Sequence, residues 1–369
     1  MKKILVVDDS ALMRRVLCDI INSDERFHVA DRATNGLEAF DLLSRKSYDA
    51  VVLDVNMPKM NGLELLGELN KYKIPARVMM ASTDTREGAK TTLDALELGA
   101  LDFIHKPDSA RDCRVEDFQK HMLEVLAAVT EANVHSFAQP AKHSTHPMPK
   151  AEAPRTMPAV QKNVEKTAEK TAAKPVGRKL VAIASSTGGP KALQSVIPHL
   201  PQDLQAPVLV VQHMPKGFTA SLAERLDSLS HISVCEAAEG DVLENGRVYL
   251  AMGGKHMNVS LNATGKYTIH YTDEPPREGV KPCANYMYES LENSRFDQIV
   301  CVVMTGMGAD GTQGILHLKE KKKTLVIAQE QSTCAVYGMP KSVVGAGLSD
   351  KIIPLEQIAQ EIILNVGVK

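Results

Sequence analysis

Hydrophobic positions along this chain fall into two blocks of alternating short and longer apolar segments, separated by a stretch poor in them. In the first block, "KILVVDD" is a continuous apolar run ending in acid. That is the pattern of a parallel strand covered on both faces. "SALMRRVLCDIINS" follows with apolar residues at Leu12, Val16, Leu17, Ile20 and Ile21, a helical spacing, and Ser10 stands at the N-cap position. The alternation continues through the strand "FHVADRA", the helix "GLEAFDLLSRK", the strand "YDAVVLDV" and the helix "NGLELLGELNKY". It closes with the strand "ARVMMAS", the helix "TREGAKTTLDALELG", the short strand "LDFIHKP" and the helix "VEDFQKHMLEVLAAVTEA". Five β/α units in this order predict a doubly wound α/β domain over residues 1–131.

The second block repeats the grammar over 179–369. "KLVAIAS", "APVLVVQHM", "DQIVCVVMTG" and "KTLVIAQE" are apolar strand runs, most of them followed by helical segments. Between them, "GRVYLAMGGKHMNVSLNATGKYTIHYT" reads as short strands with Gly and Asn turns, an antiparallel insertion in an α/β domain. The stretch from Asn133 to Lys179 has no Leu, Ile, Tyr or Trp and is rich in Pro, Ala and Lys. It cannot bury enough apolar surface to offset its ordering entropy, so 132–178 reads as a flexible linker.

Composition changes little in this picture. The 369 residues are 44% hydrophobic and 24% charged, as in ordinary globular proteins, and a formal charge of -2 requires no nucleic-acid or anionic-membrane partner. The apolar run of "MKKILVVDDS" stops at Asp8 and Asp9, too early for a signal peptide, and no stretch reaches the length of a membrane span. Six cysteines are scattered without a C-x-x-C pair, which favours buried thiols in a reducing compartment over a zinc site or disulfides. The expected location is cytoplasmic, without membrane insertion.

Chemistry gathers at predicted strand ends. In the first domain, strand one ends in Asp8 and Asp9, strand three in Asp54, strand four in Ser82 and strand five in Lys106. In open parallel sheets, sites form at the carboxyl ends of strands. Clustered carboxylates repel one another and suit a hard divalent cation. A cation, a lysine and a hydroxyl around an aspartate are what an aspartyl phosphoryl acceptor needs. The alternative is that these are separate helix caps, loop acids and a solvated lysine.

The segments "ILVVDDSALMRRVL", "DAVVLDVNMPKMNGLELL" and "ALELGALDFIHKP" resemble a flavodoxin-like response-regulator receiver domain. The resemblance implies phosphorylation at Asp54 by a histidine kinase. It implies Mg²⁺ held by Asp9, Asp54 and the carbonyl of Asn56, with Asp8 behind them. It places Ser82 and Phe103 at switch positions and Lys106 against the phosphate.

In the second domain, Ser185 and Ser186 end a strand in "ASSTGGP", His213 follows a strand in "VVQHMP", and Asp310 sits in the turn of "VVMTGMGADG". A serine at a strand-to-helix turn lies near helix N–H groups that stabilise an oxyanion, but it needs a base. His213 is one candidate; His256 in "GGKHMNV" is a rival. Gly306, Gly308 and Gly311 also form a G-x-G-x-x-G after a strand, with Glu330 ending the next strand, which leaves a dinucleotide site open. A third reading is a binding module on an inactive hydrolase fold.

"IASSTGGPKAL", "VVQHMPKGFTASLAERLD", "GGKHM" and "VVMTGMGADGTQGI" together resemble the catalytic domain of the CheB methylesterase family. The resemblance implies a hydrolase that demethylates glutamate methyl esters on methyl-accepting chemotaxis receptors and deamidates receptor glutamines. It makes Ser186 the nucleophile, His213 the base and Asp310 the orienting acid. Thr187 and Met307 would support the oxyanion, Ser185 would pack, and the esterase site would need no cofactor. The sequence departs from the family at Ala184, at Met252, and at Cys283, Ala284 and Asn285, where a Ser-Val-Asp run is more typical.

Overall fold

A computed structural model describes residues 1–83, 86–107, 113, 115–132 and 177–368; the predicted linker lies almost wholly outside them. The first unit is built on five parallel strands: β1 (Lys2–Val7), β2 (Phe27–Ala33), β3 (Ala50–Asp54), β4 (Val78–Thr83) and β5 (Asp102–Lys106). Their order is β2-β1-β3-β4-β5. Helices α1 (Ala11–Asn22), α2 (Gly36–Arg45), α3 (Gly62–Lys71), α4 (Arg86–Glu97) and α5 (Glu116–Glu131) alternate with them.

Local chemistry accounts for the helix starts. Ser10 Oγ accepts from Met13 N to cap α1, and Asn61 and Glu64 form a reciprocal capping box on α3. Ile4 to Val7 and Ala50 to Leu53 are buried, as strands covered on both faces should be. Because β1 and β3 are neighbours, the ends that carry Asp8, Asp9 and Asp54 meet.

The second unit has a seven-stranded sheet in the order β14-β13-β12-β6-β7-β9-β8. Its strands are β6 (Lys179–Ser185), β7 (Val208–Gln212), β8 (Ser233–Glu236), β9 (Arg247–Leu250), β12 (Gln298–Val303), β13 (Thr324–Gln329) and β14 (Lys351–Ile353). Strands β10 (His256–Leu261) and β11 (Tyr267–Thr272) form an antiparallel hairpin. The insertion is therefore only partly antiparallel. Its first strand, β9, joins the main sheet in parallel with β7 and β8, which buries Val248, Tyr249 and Leu250 completely. Helices α6 (Gly189–Val196), α7 (Phe218–Leu229), α8 (Ala284–Ser290), α9 (Thr312–Lys321), α10 (Met339–Gly345) and α11 (Leu355–Val366) pack around the sheet.

The two units touch along α4 and β5 of the first and α6 and α7 of the second. Arg225 on α7 bridges Asp94 and Glu97 on α4, and the Phe103 ring stacks on Phe218 with centroids 4.6 Å apart.

At the β6-to-α6 elbow, a Cβ on Gly189 would collide with Gln212 Oε1 and Ser185 Cβ. A Cβ on Gly67 in α3 would meet nothing within 4 Å. Thermal melting should therefore separate the two substitutions. Gly189→Ala should cost about 1–3 kcal/mol and lower the melting temperature by roughly 2–10 °C. Gly67→Ala should be neutral or stabilising by about 0.5–1 kcal/mol.

Candidate active site and phosphoacceptor cleft

Three central strands of the second sheet, β12, β6 and β7, run parallel and end together. Ala184 pairs with both Val303 and Val211, and Ser185 pairs with Gln212. Ser186 and His213 therefore leave the sheet one residue beyond a paired position on adjacent strands. The backbone bond from His213 N to Ser185 O, 3.1 Å, carries the ladder to that edge, and Ser186 N reaches Thr305 O at 3.0 Å. Asp310 comes from the loop after β12.

His213 Nε2 lies 2.7 Å from Asp310 Oδ2. Since a carboxylate only accepts, Nε2 carries the proton and Nδ1 is left as the basic nitrogen. Asp310 is 2% exposed, and its oxygens also accept from Cys283 Sγ (3.1 Å), Ala284 N (2.6 Å), Asn285 N (2.9 Å) and Gly311 N (2.8 Å). Burial on its own pushes this carboxyl up. The His213 bond and charge, with the Ala284 N–H and the Cys283 thiol, outweigh it and hold Asp310 below the usual carboxylate range.

The two serines differ in surroundings. Ser185 is fully buried and donates to Gln212 Oε1 at 2.6 Å. Ser186 is half-buried, and its Oγ has no hydrogen-bond partner among the described residues. Gln212, which sequence reasoning passed over inside "VVQHMP", donates from Nε2 to the carbonyls of Ser186 (2.9 Å) and His213 (3.2 Å). This buried amide fastens the ends of β6 and β7 to each other. Met307 is half-buried beside Gly306, where a Cβ would come 2.7 Å from Ser186 Cβ.

The rival readings fare poorly. His256 is fully buried, with Nδ1 accepting from Cys283 N at 3.2 Å and Nε2 against Pro275 O at 3.2 Å, so both ring nitrogens are engaged in packing the wall. Burial holds it below the ordinary histidine range. The glycine run offers no pyrophosphate cradle. Gly311 N is taken by Asp310 and Asn285, and Gly314 N by Asn285 at 2.7 Å.

In the first unit, carboxylate oxygens of Asp8, Asp9 and Asp54 lie within 4.8 Å of one another. Lys106 Nζ bridges Asp54 Oδ1 (2.8 Å) and Asp8 Oδ2 (3.1 Å) with its side chain almost wholly buried. Burial, and then the Asp8 charge, push Asp54 above the usual carboxylate range despite Lys106. Asn56 follows β3 and is exposed, and Ser82 is buried at the end of β4, where Oγ faces Gly88 O at 3.4 Å.

Strand β5 joins the two sites. Lys106 at one end touches Asp54; Phe103 stacks on Phe218, five residues beyond His213. Asp102 accepts a short hydrogen bond from Thr187 Oγ1, next to Ser186.

The first sheet with its acidic cleft is that of a response-regulator receiver, and the second unit is that of an esterase controlled by it. The receiver family (response regulator receiver domain) matches residues 4–115, and the CheB methylesterase family matches 181–362. A Geobacillus kaustophilus protein named protein-glutamate methylesterase/protein-glutamine glutaminase is 41% identical over 367 residues, 99% of each chain. A Bacillus subtilis protein of the same name is 40% identical over 98% of each chain. The crystal structure of the Thermotoga maritima CheB methylesterase catalytic domain, 40% identical, aligns over 52% of this chain and all of that one, with a TM-score of 0.50. The chain belongs to the receiver-linked CheB methylesterases.

Contact between the units should depend on pH. Burial raises Asp102 above its ordinary range, against the Thr187 hydroxyl, the Phe103 N–H and the charges of His121 and His213 that face it. The docked state therefore takes up a proton, so docking strengthens as pH falls through the docked-state pKa and weakens as pH rises. Hydrogen exchange at the amides around Thr187, corrected for intrinsic rates, should show protection falling with pH, and Asp102→Asn should remove that trend.

Proposed function

We propose that the chain demethylates glutamate methyl esters, and deamidates glutamines, on methyl-accepting chemotaxis receptors, with Ser186 as nucleophile under control of phosphorylation at Asp54. The receiver spans 1–131, the linker 132–178 and the catalytic domain 179–369, and the protein works in the cytoplasm. Among the described residues no helix is long and apolar enough to cross a membrane. The observation that carries the reading is the His213 Nε2 to Asp310 Oδ2 bond, held beside Ser186 by paired strand ends.

His213 Nδ1 takes the Ser186 Oγ proton as Oγ attacks the ester carbonyl carbon. The tetrahedral oxyanion meets N–H groups at the start of α6 and near Met307, with Thr187 shaping the pocket. The proton then passes to the methoxy oxygen, methanol leaves, and Ser186 holds the acyl group. Water, deprotonated by the same nitrogen, attacks that carbonyl; glutamate departs and Oγ is reprotonated. With a glutamine amide the steps are the same and ammonia leaves. Asp310, kept ionised by its donors, orients His213 and stabilises the imidazolium.

The carboxylates of Asp8, Asp9 and Asp54 fit a hard divalent ion in number, type and spacing, and the Asn56 carbonyl would add a neutral ligand. Bound Mg²⁺ would neutralise phosphoryl oxygens as a histidine kinase donates to Asp54. Lys106 then meets phosphate oxygens instead of the bare carboxylate. Because Lys106, Phe103 and Asp102 share one short strand, that shift loosens the Phe218 and Thr187 contacts and opens the Ser186 cleft.

Methanol release from methylated receptor tests this. Ser186→Ala should lower the rate by about 10³-fold or more. Ser185→Ala should keep the chemistry while costing about 1 kcal/mol of stability. A small phosphodonor should stimulate the full-length protein but not Asp54→Asn, and Asp102→Ala should raise the unstimulated rate.

A further inference from the structure

Asn285, in the first turn of α8, is fully buried against Asp310. Its side-chain Oδ1 accepts from Gly311 N (3.1 Å) and Gly314 N (2.7 Å). Backbone N–H groups only donate, so these two bonds fix which end of the amide is oxygen. The NH₂ end must then find an acceptor, and it donates to Glu278 Oε1 at 2.8 Å. Asn285 N meanwhile donates to Asp310 Oδ1 at 2.9 Å. A Cβ on Gly314 would come 2.7 Å from Asn285 O, so α8 and α9 approach here backbone to backbone.

Glu278 belongs to the loop between β11 and α8, and its backbone is left-handed at φ 55°, uncommon for a residue with a side chain. The same loop supplies Pro275 O to His256, and Arg277 to Glu289. We propose that the Glu278–Asn285 pair is a positioning clasp, closing this loop onto the turn that carries Asp310 and so fixing the carboxylate that aims His213. The clasp rests on the triad reading above. Neither residue touches the reacting atoms; both act through Asp310.

The pair is a matched donor and acceptor. An aspartate in place of Asn285 would still accept from Gly311 and Gly314, but its second oxygen would face the Glu278 carboxylate. Burial first, and then the Asp310 charge, already push Glu278 above the usual range, while Asn285, Arg277 and His213 pull it back. A further negative charge among Asp310, His213 and Arg277 favours the protonated base, so the acidic limb of the pH–rate profile moves to higher pH.

Full-length protein with phosphodonor and methylated receptor decides the matter. Asn285→Asp should lower kcat about tenfold or more at neutral pH with KM little changed, and shift the acidic limb upward. Adding Glu278→Gln restores a donor opposite the new carboxylate, so the double variant should recover most of kcat and the profile. Glu278→Gln alone, which still accepts from Asn285, should stay within about twofold of wild type, whereas Glu278→Ala should lose several-fold in kcat. If Asn285→Asp does not fold, the comparison at the solvent-reaching Glu278 decides by itself. The clasp is overturned if folded Asn285→Asp matches wild type, if the double variant is no better than Asn285→Asp, or if Glu278→Ala matches wild type. Ser186→Ala and Asp310→Asn, run alongside, separate the two readings. Failure of the triad leaves both fully active; failure of the clasp alone leaves both inactive.

Discussion

A buried carboxylate must be surrounded by donors, and much of the second unit is arranged around one. Leaving an ionised group in the interior without partners costs more than a domain of ordinary stability can absorb. Asp310 has five donors: the His213 ring, the Cys283 thiol and the N–H groups of Ala284, Asn285 and Gly311. Supplying them brings the start of α8 against the loop after β12, which is why "GVKPCAN" and "MGADG" meet although they are far apart in sequence. The glycines of the second segment follow from the same demand. Gly308 and Gly311 take positive φ in the tight turn, at 81° and 92°, so that the backbone can curl around the carboxylate.

Strand β5 is the second organising feature. It lies at the edge of the receiver sheet, so its flank is open to a neighbour. Over five residues it presents Asp102 to Thr187, Phe103 to Phe218 and Lys106 to Asp54. In the proposed control, a shift at the phosphoacceptor end would reach the Ser186 end through this single extended segment, a strand whose position both sites would bias.

Much of this was legible in the sequence. Parallel strands buried on both faces leave long apolar runs, and those runs ended in the residues that now cluster at the sheet edges. Strands β8 and β14 give little sequence signal because they are short and border solvent, and the direction of β9 is set by its partners and cannot be seen in its four residues. Adjacency of strand ends brought out Ser186, His213 and Asp310, but could not choose between Ser185 and Ser186. The contact with Gln212 separates them, and it spans 27 positions. Asp102 carries no local signal for the same reason, and Cys283 and Asn285 stand out in the sequence only as departures from the family pattern, with no role attached. Each acts through a partner more than 20 residues away, and Asn285 through several at once.

The central claim is that Ser186 carries the acyl group. Full-length protein, phosphodonor and methylated receptor fragment can be mixed, quenched in acid during turnover and digested for mass spectrometry. The account predicts an ester between receptor glutamate and the peptide bearing Ser186, with fragmentation placing it on that residue and not on Ser185. Turnover with no covalent enzyme species, or with the ester on any other side chain, would contradict it.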